Sequence, residues 1–490
     1  MLRRQFLAAP AGGLLRRPQR NVMLLICEQF QHHVGSFADG PAKTPSLDRL
    51  ASQAVCFRTA CTTTGLCSPA RAGLFTGRLG HRTQLDDNCH VWHSRLTGLD
   101  SSHTTLIEWA KKKGYFVGYY GKWHLGRDGP IRRGADRYPA AGFDRTPDPP
   151  GKVIGRPNFG APQKYYQNGV EFPEKPGFYV TSQEPYERSE VARMAASGAA
   201  FLEEAAKQER PFFLTVSFNA VHPPYHVAPP YNAMYDWRKI ELPSNLRDSF
   251  AEKPAYQRDV MWPFHDTGHM SEDDWRRCLA FYWGFVSQLD RGLGALLDAL
   301  SQSGFEDNTL VVLTADHGDM CGAHNRFDKG PYCYDEIFRI PLLVRAPGVR
   351  ARELRRHVSL IDLNQTLAEW MGLEPETPNL DSRSLWPLMQ RGDEAWEGPD
   401  QAFYRYEWYN GLWFGIRAVR TPEFKYCFNP VGPDELYDLK QDPGELRNLA
   451  VSQSPPPALG LLQKRLLEHL RVSGDDMLFR KLRAYLEKRD

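Results

Sequence analysis

Val22-Met23-Leu24-Leu25-Ile26, entered from Asn21, is an unbroken apolar run that ends at Cys27-Glu28-Gln29. A run of this length without polar alternation is what a strand buried on both faces requires. Residues 212–218 and 310–313 repeat the pattern, and each run ends at polar residues. Between those two, Leu279, Tyr282, Trp283, Val286, Leu289, Leu293, Leu296, Leu297 and Leu300 recur at helical spacing, with Gly304 placed to end the helix. A second helix is predicted around 105–113, running through Gly114 into a strand-like stretch at 115–120. Strand and helix thus alternate over the first 370 residues. The pattern predicts an α/β protein with a large, mostly parallel sheet sandwiched by helices, and such sheets gather ligands at the carboxyl ends of their strands.

Outward from this framework the character of the chain changes. Residues 126–185 and 223–270 are rich in proline, glycine, tyrosine and aspartate without periodicity, and read as long surface loops that shape access to a site. From about 375 a proline-rich linker leads to strand-like runs at 413–419 and 424–428 and to an amphipathic helix after Pro457. The expected division is a catalytic domain over 21–375 and a smaller C-terminal α+β subdomain over 376–490. Residues 1–20 differ from both: Arg3-Arg4, then Phe6-Leu7-Ala8-Ala9-Pro10-Ala11-Gly12-Gly13-Leu14-Leu15, then basic residues again. This segment resembles a twin-arginine export signal, which predicts a periplasmic or secreted protein; the alternative is a disordered basic N-terminus on a cytoplasmic one.

The chain has 490 residues, more than the roughly 250–300 at which a single core stops growing. Its 61 lysines and arginines balance 59 aspartates and glutamates, without long runs of either sign, which argues against nucleic acid or an anionic membrane as the main partner. Any preference for anions must be local. Nowhere do the apolar residues run long enough for a membrane span. Nine cysteines, an odd number without regular spacing, are expected to be buried thiols. Nothing in the composition speaks to oligomeric state.

Six short segments carry the chemistry. Cys67-Ser68-Pro69-Ala70-Arg71, continued by Ala72-Gly73-Leu74-Phe75-Thr76-Gly77-Arg78, joins a thiol, a turn former and a fixed cation just before a helical start. On the residues alone Cys67 is open to several readings: a plain thiol, a disulfide half with Cys56 or Cys61, or part of a metal knuckle, the last disfavoured because no second matching cysteine pair exists. Glu28-Gln29 follows the first buried strand and Asp316-His317-Gly318-Asp319 follows the third, so two strand ends could converge on one ion. Hard oxygen ligands with one imidazole suit calcium, magnesium or manganese. Gly121-Lys122-Trp123-His124 closes the strand at 115–120, and residues two apart on an extended segment point the same way. Asn219-Ala220-Val221-His222-Pro223-Pro224 closes the strand at 212–218, and Lys329 stands in Phe327-Asp328-Lys329-Gly330-Pro331.

Together these segments resemble the type I, formylglycine-dependent sulfatases of the alkaline phosphatase superfamily, with a flavour of the bacterial exo-sulfatases. The family pattern is Cys-x-Pro-x-Arg with a following Leu-x-Thr-Gly-Arg, and Gly-Lys-Trp-His matches at every position. The resemblance implies that a formylglycine-generating enzyme oxidises Cys67 to an aldehyde, which hydrates to a geminal diol. One hydroxyl then attacks sulfur beside a metal, and the other lets the sulfated intermediate collapse with release of sulfate. It further implies that Arg71 steadies the nucleophile and the metal ligands, and that Lys122 binds the nucleophile and a sulfate oxygen. His124 would assist the diol, His222 would contact sulfate and protonate the leaving oxygen, and Lys329 would be the second sulfate-binding lysine. One divalent metal, calcium first and magnesium or manganese as alternatives, would be held by Glu28, Gln29, Asp316, His317 and the matured Cys67.

The family usually has two aspartates where this chain has Glu28-Gln29; an acid followed by glutamine is similar to the phosphonate monoester hydrolase and choline-sulfatase branches, in which Asn88 also has a counterpart. The segments 434–439 and 442–450 resemble the family's C-terminal hallmark, with Asp442 and Pro443 in a turn and Asn448 near a helix start, so the likeness spans about 21–450. The implied substrate is a sulfated small molecule or oligosaccharide. The aromatic loops at 163–186 and 223–237 are candidates for stacking sugar rings, and His81, His90, His93, His226 and His324 for touching substrate. Two competing readings are a phosphonate or phosphate ester hydrolase on the same site and a binding protein that keeps the fold without the chemistry.

Overall fold

A computed structural model of the chain describes residues 20–89, 96–126, 164–167, 170–173, 178–259, 266–374 and 381–487. The expected leader, most of the 126–185 segment, and His90 and His93 lie outside the described residues.

The central sheet has seven strands: β1 (Asn21–Cys27), β2 (Val55–Phe57), β3 (Phe116–Gly121), β4 (Phe212–Phe218), β5 (Thr309–Ala315), β6 (Leu342–Arg345) and β7 (Arg352–Leu354). Their spatial order is β7-β2-β6-β5-β1-β4-β3. Only β6 runs against the others. Every residue of β1, β4 and β5 is buried, which is why these three read as continuous apolar runs. Cys27 lies opposite Ala315 on one side and Phe218 on the other. Glu28 and Asp316 therefore leave neighbouring strands at the same level.

Helices α1 (Cys67–Thr76), α2 (Leu106–Lys112), α3 (Glu190–Ala205), α4 (Glu272–Gln302) and α5 (Asp362–Met371) clothe the sheet. α3 and α4 pack on each other and α3 on β4; α1, α2 and α5 form a second group. α4 begins seven residues before its expected apolar stripe, because a capping box between Ser271 and Asp274 satisfies its first backbone N–H groups. Among the described residues no helix is long and apolar enough to cross a membrane.

A separate antiparallel sheet follows, formed by β8 (Ala402–Tyr409), β9 (Leu412–Arg420), β10 (Phe424–Phe428) and β11 (Glu435–Asp438) in sequential order. Its two faces bury different cores. Tyr404, Tyr406, Tyr409, Phe414, Ile416 and Ala418 pack against Met320, Tyr334, Ile337 and Phe338 of the first part of the chain. Val419, Tyr426 and Leu436 pack against the terminal helices α6 (Ala458–Ser473) and α7 (Asp476–Leu486), which Gly474 separates at a φ of 76°. Leu385, Trp386, Leu388, Met389 and Trp396 belong to the core of the large sheet, so the change of core comes after Trp396, later than the composition suggests.

Several expectations are corrected. The segment 223–270 is not a loose surface loop where it is described: Tyr225, Val227, Ala228, Trp237 and Ile240 are buried in the main core. Tyr179, Tyr186, Tyr225 and Trp237 are therefore spent on packing and cannot stack sugars. His324 is fully buried, stacked on Tyr334 with ring centroids 3.7 Å apart and hydrogen-bonded to Asp248 at 2.6 Å, so it does not meet substrate. His81 is taken up by Ser473 and Arg405 at the junction with the C-terminal part. Asn448 is not at a helix start: its Oδ1 accepts from the backbone of Leu436 and Ala450, and its Nδ2 donates to the Glu252 and Asp434 carbonyls. Asp442 does hold the expected turn, accepting from the Leu446 and Arg447 N–H groups.

Candidate active site

Cys67 opens α1, with Leu66 extended before it. The Asn88 Oδ1 accepts from the Ser68 backbone N–H at 3.1 Å, serving one of the orphan donors at this helix start. The Cys67 Sγ lies 3.0 Å from Glu28 Oε1 and 3.2 Å from His317 Nε2. No cysteine among the described residues is in a disulfide, and Cys56 and Cys61 are buried free thiols, which removes the disulfide readings of Cys67. Burial, and then the Glu28 charge, push the Cys67 thiol up to about 12.

Two strand ends converge here as their spacing predicts. Ligand atoms of Glu28, Cys67, Asp316 and His317 all lie within 4.8 Å of one another, and all four residues are buried. Arg71, one turn into α1, is also fully buried: its Nη2 is 2.6 Å from Glu28 Oε2 and its Nε 2.9 Å from Asp316 Oδ2. Its Nη1 donates to the Lys122 carbonyl at 2.7 Å and to Ser217 Oγ at 2.8 Å. The Lys122 ammonium pairs with Glu28 Oε1. Burial by itself would raise the Glu28 carboxyl, but Lys122 and Arg71 hold it well below the usual carboxylate range. His317 Nδ1 sits 2.9 Å from the Gly318 carbonyl, which directs Nε2 toward Cys67, and burial lowers its pKa.

A second polar layer adjoins the first. Gln29, at φ 58°, donates from Nε2 to Asp319 Oδ2 and Asp328 Oδ1, both at 2.6 Å, while its Oε1 accepts from Lys329 Nζ at 2.9 Å. Gln29, expected among the metal ligands, turns its amide nitrogen to two carboxylates and its carbonyl oxygen to Lys329. Lys329 Nζ also reaches Asp328 Oδ1 at 2.7 Å and His222 Nε2 at 3.3 Å. The His222 Nδ1 lies 2.5 Å from the Pro223 carbonyl. Burial, then Lys329 and Lys122, hold His222 down to about 3, so it is neutral here. His124 does not continue the extended line of Lys122: its φ is 59°, and its carbonyl accepts from Ser68 Oγ at 2.7 Å.

Two motif glycines have backbone reasons. Gly121 has a φ of 97°, and a Cβ on it would lie 1.9 Å from the Ser217 carbonyl oxygen; a Cβ on Gly318 would lie 1.9 Å from that of Glu336. Both let strand ends approach closely enough for the side chains that follow to meet. Two tyrosines to which the sequence reading gave no such role also reach the site. Tyr225 donates to Asp319 Oδ2 at 3.0 Å, and Tyr409 of the C-terminal sheet donates to the Lys329 carbonyl at 3.1 Å. Tyr225 stands in the aromatic loop at 223–237, and Tyr409 carries no motif at all.

Lysines and an arginine gathered around one buried position at parallel strand ends are what an enzyme that hydrolyses an anionic tetrahedral ester needs. Residues 20–373 match the family model described as Sulfatase, and residues 322–472 match that described as N-sulphoglucosamine sulphohydrolase, C-terminal. The chain belongs to the sulfatase family and is a hydrolase of sulfate esters. It is 29% identical over 451 residues to a choline-sulfatase of Rhizobium meliloti, covering 89% of this chain and 83% of that protein. Among solved structures it resembles a phosphonate monoester hydrolase from Silicibacter pomeroyi, with a TM-score of 0.77, 23% identity and coverage of 93% and 96%. It also resembles an enzyme solved with its substrate D-glucosamine-2-N,6-O-disulfate, with a TM-score of 0.74, 20% identity and coverage of 93% and 98%.

Proposed function

We propose that the chain removes sulfate from sulfated carbohydrate, using a formylglycine matured from Cys67 by a formylglycine-generating enzyme and one divalent cation. The observation that carries this reading is the position of Cys67: a buried side chain 3.0 Å from Glu28 and 3.2 Å from His317, inside a set of metal donors. A hydrated aldehyde at that position offers a hydroxyl to attack sulfur and a second oxygen for the exit.

The donor set fits a hard cation. Two carboxylates and one imidazole, all buried, converge beside the position 67 side chain, as calcium, magnesium or manganese would require, and calcium suits the oxygen-rich set best. Glu28, Asp316 and His317 would hold the ion, which when bound supplies polarisation of the sulfate oxygens and a lowered pKa for the attacking hydroxyl. Arg71 keeps Glu28 and Asp316 oriented. Lys122 and Lys329 bring two positive charges to the position the sulfate oxygens would occupy. His222, its Nδ1–H donated to the Pro223 carbonyl, keeps Nε2 on the side of Lys329, where it would contact the sulfate and the leaving oxygen.

The sugar assignment is supported by the N-sulphoglucosamine sulphohydrolase match over 322–472 and by the named substrate of the structural neighbour. The Arg3-Arg4 segment supports export to the periplasm or beyond. The test pairs mass spectrometry across Cys67 with turnover. After co-expression with a formylglycine-generating enzyme, the Cys67 peptide should lose about 18 Da and the protein should release sulfate from a sulfated monosaccharide, whereas an unmodified cysteine on an active enzyme would overturn the nucleophile. A second reading, phosphonate or phosphate ester hydrolysis, is favoured by Gln29 in place of a second carboxylate. A large preference for an aryl phosphonate over an aryl sulfate would establish it.

A further inference from the structure

Strands β8 and β9 form a hairpin whose turn, Asn410-Gly411, has both residues in the left-handed region, at φ 50° and 80°. An Asn-Gly pair adopts this turn readily, and its twist matches that of the flanking strands. The hairpin is tied to the catalytic part along its length. The Arg405 N–H donates to the Thr63 carbonyl at 2.8 Å, and the Tyr406 hydroxyl to that of Gly65 at 3.3 Å, two residues before Cys67. The Tyr409 hydroxyl donates to the Lys329 carbonyl at 3.1 Å, and the Gly411 N–H to Asp87 Oδ2 at 3.3 Å, beside the Asn88 that caps α1. The tip of a sheet more than three hundred positions along the chain thus sits between the segments that carry Cys67 and Lys329.

Leu412 is the exception on this hairpin. It pairs directly with Tyr409, and residues in direct register share a face. Tyr409 is buried in the core shared with the catalytic part. Yet Leu412 is 53% exposed. A lone exposed leucine ordinarily means nothing; here it is the register partner of Tyr409, which holds the Lys329 backbone.

We propose that the Tyr409–Leu412 turn is a specificity-determining rim of the active site. Leu412 meets the alcohol portion of the ester through an apolar face, such as the C–H face of a sugar ring, and Tyr409 is a positioning residue that fixes the Lys329 backbone. The proposal deepens the functional reading above and rests on its placement of the ester at Lys122 and Lys329.

The experiment compares kcat/KM for two esters of the same acid, one with a small aryl alcohol and one with a disaccharide alcohol, in the wild-type protein, Leu412→Ala and Tyr409→Phe. Leu412→Ala should lower the disaccharide-to-aryl ratio about tenfold, through KM, as the loss of an apolar contact predicts. Because Leu412 is exposed, this variant should fold. Tyr409→Phe should lower kcat for both esters by a similar factor and leave the ratio unchanged. An unaltered ratio in Leu412→Ala overturns the rim, and a Tyr409→Phe protein that melts earlier but keeps its kcat overturns the positioning role. If the wild-type protein turns over only phosphonate esters, the sulfate reading fails while the same ratio, measured on phosphonates, still decides the rim.

Discussion

Arg71 and Glu28 meet at 2.6 Å with neither side chain exposed, and the same guanidinium holds Asp316 at 2.9 Å. Two carboxylates from separate strand ends are thereby held close together, as a cation site requires. Removing one partner of such a group leaves charge buried without compensation, typically at a cost of about 3–5 kcal/mol. Arg71→Ala should therefore be strongly destabilised in urea titrations without divalent cations, and much of the loss should return when calcium is added. An equal loss with and without calcium would show that the carboxylates do not serve an ion.

Chelation tests the same cluster from the other side. A ligand present at a hundred times its dissociation constant stabilises the folded state by about 2.7 kcal/mol. Thermal unfolding should shift downward on treatment with a chelator and recover with calcium, and turnover should follow. Asp316→Asn and His317→Ala should each shrink the calcium-dependent shift, whereas a shift of unchanged size would place the ion elsewhere.

Gly121 and Gly114 offer a contrast in what a methyl group meets. Both have positive φ, 97° and 89°, but a Cβ at Gly121 would strike the Ser217 carbonyl at 1.9 Å while one at Gly114 meets nothing within 4 Å. Gly114→Ala should cost about 1–2 kcal/mol from backbone conformation alone. Gly121→Ala should cost clearly more and also reduce kcat, because it displaces the peptide that precedes Lys122. Equal denaturation midpoints for the two variants would contradict the close approach.

Asp362, at the start of α5, accepts from the Ser359 N–H at 2.8 Å and the Arg383 N–H at 3.0 Å, and burial pushes it up to about 6. Its folded pKa stands above the ordinary aspartate value of about 3.9. Between these values the folded state binds more protons than the unfolded one, so Asp362 lowers stability above pH 6 and this penalty is relieved as pH falls toward 4. The stability difference between wild type and Asp362→Asn should therefore move in favour of wild type by about 2–3 kcal/mol over that window. A difference that stays flat with pH would show that Asp362 is not held in this environment.

Much of the catalytic part was legible because its signals are local. The runs at 21–26, 212–218 and 310–313 needed no partner to be recognised as buried strands, and the motif residues announced themselves by order and spacing. The failures have one cause. Tyr179, Tyr225 and Trp237 looked like a sugar platform because composition does not say which ring is covered, and His324 looked available because Asp248 and Tyr334 are distant in sequence.

The sequence by itself determined the α/β class and the principal buried strands, since each depends on a chemical type within a few positions of its neighbours. Only the tertiary structure decided that Cys67 meets His317, 250 positions away, at 3.2 Å, that Arg71 neutralises two strand ends, and that a C-terminal hairpin reaches Lys329. Charge compensation and contact act through space over a few ångströms, and a linear pattern does not carry distances between segments that the fold brings together.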